Sequence, residues 1–417
     1  MRSKGIRSPH DVQESKSTGF GFLLVILFLV LEYGRPQDKF GVIGALRPTL
    51  VLIPLMLITW LKHGNIRLVA SPQSSCIVLM LCLLALHVPF ATNNFLAYKQ
   101  TEGFFLLLPF LISVVLFVDR YERLHAFMRW WILLAFYIAI NGILGFGVAG
   151  SSFLGDENDV ALLINVMLPF ALCLFLYERK WIVKLAYMVT SLLCVASIVS
   201  SGSRGGLVGL LVVLAVVWLM SPRKVLSLVL IAVLAVGVYG VSDQKYWDRM
   251  ETIKKTDEGT AKGRLDSWQA GWDMFKDHPL GVGPGNFPVR FPEYQPASLP
   301  HNMWGRAAHS LWFTLLAELG IPGTILYLFL LGANLRDLRY LKKLSMDSDS
   351  HRFAHVLSIA FMASLAGFFA SGTFLSVLFY PHYWYLSAMI VATRKIVDNA
   401  DTSKSMALER GLEIGKS

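Results

Sequence analysis

The stretch Val160-Ala-Leu-Leu-Ile-Asn-Val-Met-Leu-Pro-Phe-Ala-Leu-Cys-Leu-Phe-Leu176 decides the class of fold. It carries no charged residue, and Asn165 is its only polar side chain. At about 1.5 Å per residue, a helix of this length crosses most of a bilayer core about 30 Å thick. About twelve apolar stretches of comparable length recur along the chain, at 19–33, 41–61, 74–91, 103–118, 126–146, 160–176, 181–199, 206–220, 224–241, 309–331, 354–372 and 375–393.

The overall composition supports the same class. The 417 residues are 55% hydrophobic and 16% charged, with a mean hydropathy of +0.54. Soluble chains are about 45–50% apolar and about 25% charged, so a soluble globular domain and a disordered chain are both excluded. We therefore predict an all-α integral membrane protein with about twelve transmembrane helices and one large, partly helical periplasmic loop.

The basic residues predict the orientation in the membrane. The formal net charge is +10, and no basic stripe interleaved with aromatic residues points to nucleic acid. If both termini are cytoplasmic, the inner connections hold most of the cations, as the positive-inside rule requires. These are Lys62, Arg67, Arg120, Arg123, Arg129, Arg179, Lys180, Lys184, Arg223, Lys224, Arg336, Arg339, Lys342, Lys343, Arg352, Arg394 and Lys395.

The predicted organisation has four parts. Residues 1–241 hold spans one to nine, 242–308 form the large periplasmic loop, 309–393 hold spans ten to twelve, and 394–417 form a cytoplasmic tail. Leu265, Trp268, Trp272 and Phe275 recur at helical spacing in the loop, so we predict an amphipathic helix that Pro279 ends. Connections this long in a compact protein are usually functional.

Three arginines on the predicted outer side are candidate anion ligands. Arg204 lies in a Ser- and Gly-rich turn, where the Ser203 hydroxyl and backbone N–H groups accompany its guanidinium. Arg264 follows Gly263 at the predicted start of the amphipathic helix, where free N–H groups attract anions. Arg47, near the outer end of the second span, is either a third phosphate contact or an interfacial anchor. Arg204 and Arg264 have ordinary alternatives too, as a snorkelling and a solvated arginine.

His309 is the candidate base. It lies where the large loop enters the tenth span, and an imidazole with a pKa near 6.5 can take a proton from a hydroxyl. A structural or interfacial histidine is the alternative. His301 lies nearby in sequence as a supporting group, but two histidines at this spacing are a weak metal signal, and Asp156 and Asp159 are better explained as helix caps. We predict no metal.

Together these motifs resemble the O-antigen ligase and polymerase superfamily, and they cover roughly residues 155–330. The motifs are Ser-Arg-Gly at 203–205, Gly-Arg-x-x-x-Trp at 263–268, Pro-Leu-Gly-Val-Gly-Pro-Gly-Asn-Phe at 279–287, and Ala-His-Ser-Leu-Trp-Phe followed by Glu-Leu-Gly-Ile-Pro-Gly within 308–323. The family often has His-Asn at its catalytic histidine, whereas this chain has His309-Ser310 and, earlier, His301-Asn302. The motifs that follow His309 favour it over His301.

The resemblance implies a membrane glycosyltransferase of the GT-C type in the bacterial inner membrane, with its active site on the periplasmic face. It would move a glycan from undecaprenyl diphosphate to lipid A core oligosaccharide, with Arg204 and Arg264 on the diphosphate and His309 on the acceptor hydroxyl. The donor is already activated, so no cofactor is expected. The motifs leave open a surface polysaccharide polymerase and a protein O-oligosaccharyltransferase. A transporter is disfavoured, because the longest connection lies outside and the halves show no repeat.

Overall fold

The computed structural model describes residues 9–63, 69–145, 147–151, 154–241, 258–297 and 302–414, and these residues form helices and no β-strand. The helices are α1 (Pro9–Gly34), α2 (Pro36–Lys39), α3 (Gly41–Ala45), α4 (Pro48–His63), α5 (Pro72–His87), α6 (Asn94–Phe117), α7 (Tyr121–Leu144), α8 (Glu157–Tyr177), α9 (Trp181–Ser200), α10 (Arg204–Met220), α11 (Lys224–Val241), α12 (Glu258–Asp277), α13 (Phe287–Tyr294), α14 (Leu311–Lys342), α15 (Asp349–Gly372) and α16 (Pro381–Ile414). A 3₁₀ turn, Val88–Phe90, follows α5.

The helices confirm an integral membrane protein. Within the described ranges, seven helices are long and apolar enough to cross a bilayer, among them α8, α14 and α15. Four shorter apolar helical stretches accompany them: Gly19–Gly34, Pro48–Lys62, Arg204–Met220 and Lys224–Val236. The total of twelve spans and the GT-C likeness remain predictions.

Helix α8 is the centre of the bundle. Every residue from Val160 to Leu176 is buried, and the helix packs against α7, α9, α10 and α15. Its buried Asn165 donates hydrogen bonds to the carbonyl oxygen of Gly206 at 2.7 Å and to the hydroxyl of Ser371 at 3.1 Å. Because a polar group is costly in an apolar interior unless it is paired, these bonds fix α10 and α15 against α8.

Two predicted spans differ from the observed helices. The run 41–61 is interrupted, because α3 ends at Ala45 and Arg47 adopts a left-handed backbone with φ 44° before α4 begins. The run 375–393 becomes helical only at Pro381. Proline suits the first turn of a helix and disfavours helical geometry in the residue before it, so the preceding residues form a connection, here called the 373–380 segment.

The turn 279–287 docks onto a kink in α14. Ile321 donates its backbone N–H to the carbonyl of Pro279 at 2.8 Å, and Val282 donates to the carbonyl of Ala317 at 2.8 Å. Gly320 has φ 58° and ψ −154°, and a Cβ there would clash with the carbonyl of Pro279. Glycine is needed at this position for both reasons.

A buried carboxylate completes this contact. Glu318 of α14 accepts the backbone N–H groups of Gly285 at 2.8 Å and Phe287 at 3.1 Å. The glycine-rich motif and the Glu-Leu-Gly-Ile-Pro-Gly motif are therefore the two sides of one contact, which holds the large loop against the start of α14 beside His309.

Candidate active site

Ser203 caps the helix that carries Arg204. Its hydroxyl accepts the backbone N–H of Gly206 at 3.0 Å and donates to the amide oxygen of Asn158 at 2.7 Å. Asp156 in turn caps α8 by accepting the backbone N–H of Asn158 at 2.8 Å, which confirms its predicted capping role. These bonds tie the N-termini of α8 and α10 side by side. Arg204 is the first residue of α10, and it is exposed there.

Arg264 lies inside a helix and not at its start. Helix α12 begins at Glu258, so the backbone N–H groups near Arg264 are within the helix, and its predicted position at a helix start is wrong. Its role as an anion ligand stays a prediction. The predicted amphipathic helix itself is confirmed. Its buried face is Ser267, Ala270 and Met274, whereas Leu265 is exposed.

Arg306 is a second arginine beside Arg264 that the sequence analysis did not select. Its Nε donates to the hydroxyl of Ser267 at 2.9 Å, and its guanidinium lies 5.7 Å from the ring centroid of Phe291. Nη2 of Arg306 lies close to Gly263, in the space that a Cβ on residue 263 would occupy. Only the loop fold reveals the contact, because Arg306 stands outside the quoted motifs.

His309 has a left-handed backbone, with φ 47°. This conformation is uncommon for residues other than glycine, and it is found where surrounding contacts hold it, often at functional sites. The backbone N–H of His309 donates to the hydroxyl of Ser376 at 2.9 Å. In the described part of the chain, the other non-glycine residues with positive φ are Arg35 and Arg47.

Charged residues around His309 affect its pKa. Partial burial of the ring, followed by the positive charges of Arg264 and Arg306, lowers the pKa of His309 from its usual 6.5, while Asp156 acts in the opposite direction. Arg264, Arg306 and Asp156 are therefore close enough to His309 to act on it electrostatically. A neutral imidazole beside two guanidinium groups can accept a proton while the cations bind an anion.

The 373–380 segment joins the parts of the site. Besides the bond from Ser376 to His309, the hydroxyl of Thr373 accepts the indole N–H of Trp312 at 3.1 Å. Phe374 packs where a side chain on Gly205 would lie, next to Arg204, and its ring centroid is 6.2 Å from that of Trp268. The segment thus connects α10, α12 and α14. Its role was missed because its apolar residues looked like the start of a span.

Of the remaining predicted residues in the described part of the chain, Arg47 is not joined to this cluster. Arg47 is exposed between α3 and α4, and no contact among the described residues joins it to Arg204, Arg264 or His309. Its role as a phosphate ligand stays a prediction. His301 lies outside the described residues. Asp159 lies inside the first turn of α8, so its predicted role as a helix cap is wrong, and its carboxylate accepts the hydroxyl of Tyr380 at 2.6 Å. Within the described ranges, no three His, Cys, Asp or Glu side chains form a group that could hold a metal ion.

These features define an all-helical membrane protein whose large connection brings arginines and a histidine to one end of the bundle. Residues 189–328 match the family described as O-antigen ligase. The match runs from α9 into α14 and includes Arg204, Arg264 and His309, so the predicted resemblance is confirmed. Over these residues the chain is similar to that family, and its helices are those of a membrane protein. No curated protein was found to match it.

Proposed function

We propose that this protein is a membrane glycosyltransferase that moves a glycan from undecaprenyl diphosphate to lipid A core oligosaccharide at the periplasmic face of the bacterial inner membrane. The observation that carries the proposal is the grouping of these residues: Arg306 approaches Gly263 next to Arg264, Ser376 holds the backbone of His309, and the charges of both arginines lower the pKa of the imidazole. A proton acceptor beside paired cations fits a reaction in which a hydroxyl attacks and a diphosphate leaves.

The arginines stabilise the negative charge of the diphosphate leaving group. As the bond between the anomeric carbon and the diphosphate oxygen breaks, its electron pair stays on that oxygen and negative charge develops there. Guanidinium groups bind phosphate oxygens bidentately and keep their charge at every physiological pH. Arg204 and Arg264 are proposed as the diphosphate ligands, Arg306 as a neighbouring cation, and Arg47 as a further contact.

His309 is the proposed base for the acceptor hydroxyl. The acceptor hydroxyl oxygen forms the new bond to the anomeric carbon, and its proton passes to the neutral imidazole of His309. Direct attack of this kind inverts the anomeric configuration. The products are the glycosylated acceptor and undecaprenyl diphosphate, so the reaction balances without a metal, a nucleotide or a cofactor. Ser203 supports the site by fixing the start of α10, and His301 stays a predicted supporting residue.

The proposed location follows from charge and chemistry. The cations listed above lie in the inner connections, whereas the short outer connections hold few basic residues, namely Arg35, Lys39, Lys99 and Arg204. This asymmetry supports N- and C-termini in the cytoplasm and a periplasmic site. A donor that is embedded in lipid and already activated suits a compartment that lacks nucleotides. The partners are then the lipid-linked glycan, the lipid A core acceptor and the surrounding phospholipid.

Product mass tests this proposal. The purified protein is reconstituted in lipid with undecaprenyl-diphosphate glycan and lipid A core, beside His309→Ala and, as a matched control, His278→Ala. We expect one glycan per acceptor with the wild type and the control variant, and none with His309→Ala. A ladder of lipid-linked glycans would indicate a polymerase, and glycan on a peptide serine or threonine a protein O-oligosaccharyltransferase. No product with any acceptor would support a transporter or flippase.

A further inference from the structure

A groove lies on α12 directly beside the arginine and histidine cluster. Leu265, Asp266, Trp268, Gln269 and Trp272 of α12 line it, together with Phe313 of α14. Its volume of about 610 Å³ falls within the range of about 300–1,000 Å³ that small-molecule sites have. None of these side chains has a role in the transfer chemistry described above.

The aromatic walls of the groove are held in place. Trp268 stacks on Phe313 with ring centroids 5.5 Å apart and an angle of 21° between the planes, and it also contacts Phe374. Trp272 is 43% exposed and packs against Phe275 with ring centroids 5.5 Å apart. Leu265, on the same exposed stripe of the helix, is 61% exposed. Large apolar groups left open on an ordered helix mark a binding surface when they form one patch.

The polar residues of the groove select the ligand. Asp266 supplies carboxylate oxygens, and the amide of Gln269 supplies both donors and an acceptor. Gln269 is held by a hydrogen bond from its Nε2 to Asp273 at 3.0 Å, and Asp273 is also paired with Lys276 at 2.7 Å. A prenyl chain or an acyl chain would leave Asp266 and Gln269 without water or partners, which is costly.

A sugar ring can pack on the aromatic walls of the groove and also bond to its polar residues. Its C–H face packs on an aromatic ring, while its hydroxyl groups bond to carboxylate and amide side chains. The groove is also continuous with the cluster that we assign to the diphosphate, because Arg264 immediately precedes Leu265 and Trp268 contacts Phe374 beside Gly205. A glycan anchored at the arginines by its diphosphate would have its first sugars here.

We propose that this groove is a sugar subsite, in which Trp272 stacks on a neutral pyranose ring of the donor glycan and Asp266 and Gln269 bind its hydroxyl groups. The inference rests on the proposed transferase function, and it adds residues that select the glycan. A neutral ring is favoured over a uronic acid, because the carboxylate of Asp266 would repel a second negative charge.

The test compares Trp272→Ala with Trp304→Ala, in which the lost ring is also solvent-facing, at 66% exposed against 43% for Trp272, but does not line the groove. Saturation-transfer NMR measures binding of the lipid-free oligosaccharide released by mild acid from the undecaprenyl-diphosphate glycan. Undecaprenyl phosphate, which has the lipid and no sugar, is the competing probe. Steady-state transfer by the same protein preparations gives KM and kcat for the intact donor.

We expect the oligosaccharide to bind the wild type and Trp304→Ala saturably and Trp272→Ala at least about tenfold more weakly, as a loss of about 1.4 kcal/mol would give. The donor KM should rise by a similar factor in Trp272→Ala with kcat nearly unchanged, since stacking binds the ground state and the transition state alike. Undecaprenyl phosphate should not displace the oligosaccharide.

Two results would overturn the sugar subsite. One is equal oligosaccharide binding and equal KM in Trp272→Ala and the wild type. The other is displacement of the oligosaccharide by undecaprenyl phosphate, which would show that the groove binds the lipid. Wild-type protein that transfers nothing would instead count against the proposed function, and the binding measurement reports on the groove separately.

Discussion

The backbone N–H of His309 donates a hydrogen bond to the hydroxyl oxygen of Ser376 over 2.9 Å. The two residues belong to different connections, one leading into α14 and the other into α16. Their bond holds a histidine whose φ of 47° is uncommon for residues other than glycine. The fold thus places the imidazole at the entrance of α14, where the charges of Arg264 and Arg306 act on it.

Replacement of His309 by asparagine should separate chemistry from folding. Asparagine tolerates the left-handed backbone better than most residues, so His309→Asn should keep the wild-type melting temperature. It cannot act as a base near neutral pH, and general-base catalysis is worth about 10²–10⁴-fold. We expect kcat to fall by at least about 100-fold in transfer assays. An active His309→Asn variant would show that another group takes the proton.

Lysine should not replace the arginines. In Arg204→Lys and Arg264→Lys the charge is kept, but the two-pronged contact with phosphate oxygens is lost. A lost hydrogen bond to a charged group is worth about 1.5–3 kcal/mol, so kcat/KM should drop by about 10-fold or more in each. Arg290→Lys is the control, because Arg290 pairs with Glu293 on the loop surface at 2.6 Å. Wild-type turnover in both test variants would contradict bidentate binding.

The pH dependence of transfer should report on His309. Its pKa is lowered by partial burial and then by Arg264 and Arg306, so the neutral, active form persists to lower pH than in a free imidazole. Activity should fall only on the acidic side, as pH drops through that lowered pKa. Arg306→Gln removes a cation that disfavours imidazolium, so the acidic limb should move to higher pH.

The same profile for Arg290→Gln controls for a general loss of positive charge on the loop. Melting temperatures of both variants check that the loop remains folded, because Arg306 also bonds to Ser267. An acidic limb that stays in place, or that moves to lower pH, in Arg306→Gln would contradict the electrostatic coupling.

Glu318 should matter for stability. Its carboxylate accepts the backbone N–H groups of Gly285 and Phe287, whereas glutamine has one accepting oxygen and would turn its own N–H₂ toward a donor. A buried N–H left unpaired costs about 1–3 kcal/mol, so Glu318→Gln should melt at a lower temperature than the wild type. Glu293→Gln, on the exposed loop surface, should not. Equal melting of all three proteins would contradict this role.

The helices were largely predictable from the sequence because lipid imposes a length and a composition on each span. The helix of the large loop was predictable from the helical spacing of its apolar residues, although its buried face is made by Ser267, Ala270 and Met274, while Leu265 and Trp272 are exposed. Local sequence signals predict the ends of helices less well. Helix α12 begins at Glu258, before the predicted start, and α16 begins at Pro381, after it.

The partners of His309 were harder to predict, because they come from distant parts of the chain. Arg306 is brought to Gly263 by the path of the loop, and Ser376 reaches His309 only because α16 begins at Pro381. No periodicity or spacing encodes such contacts. The sequence motifs identified His309, Arg204 and Arg264 as candidates, and only the tertiary structure showed Arg306 and Ser376.

The most direct measurement follows both products of the proposed reaction. Mass spectrometry counts undecaprenyl diphosphate released and glycan joined to lipid A core by reconstituted protein in the presence of a metal chelator, with His309→Asn beside it. We predict one undecaprenyl diphosphate for each glycan transferred, and neither product with His309→Asn. Glycan that crosses the membrane still linked to its lipid would contradict the central claim, and activity that returns only with an added divalent cation would contradict the metal-free mechanism.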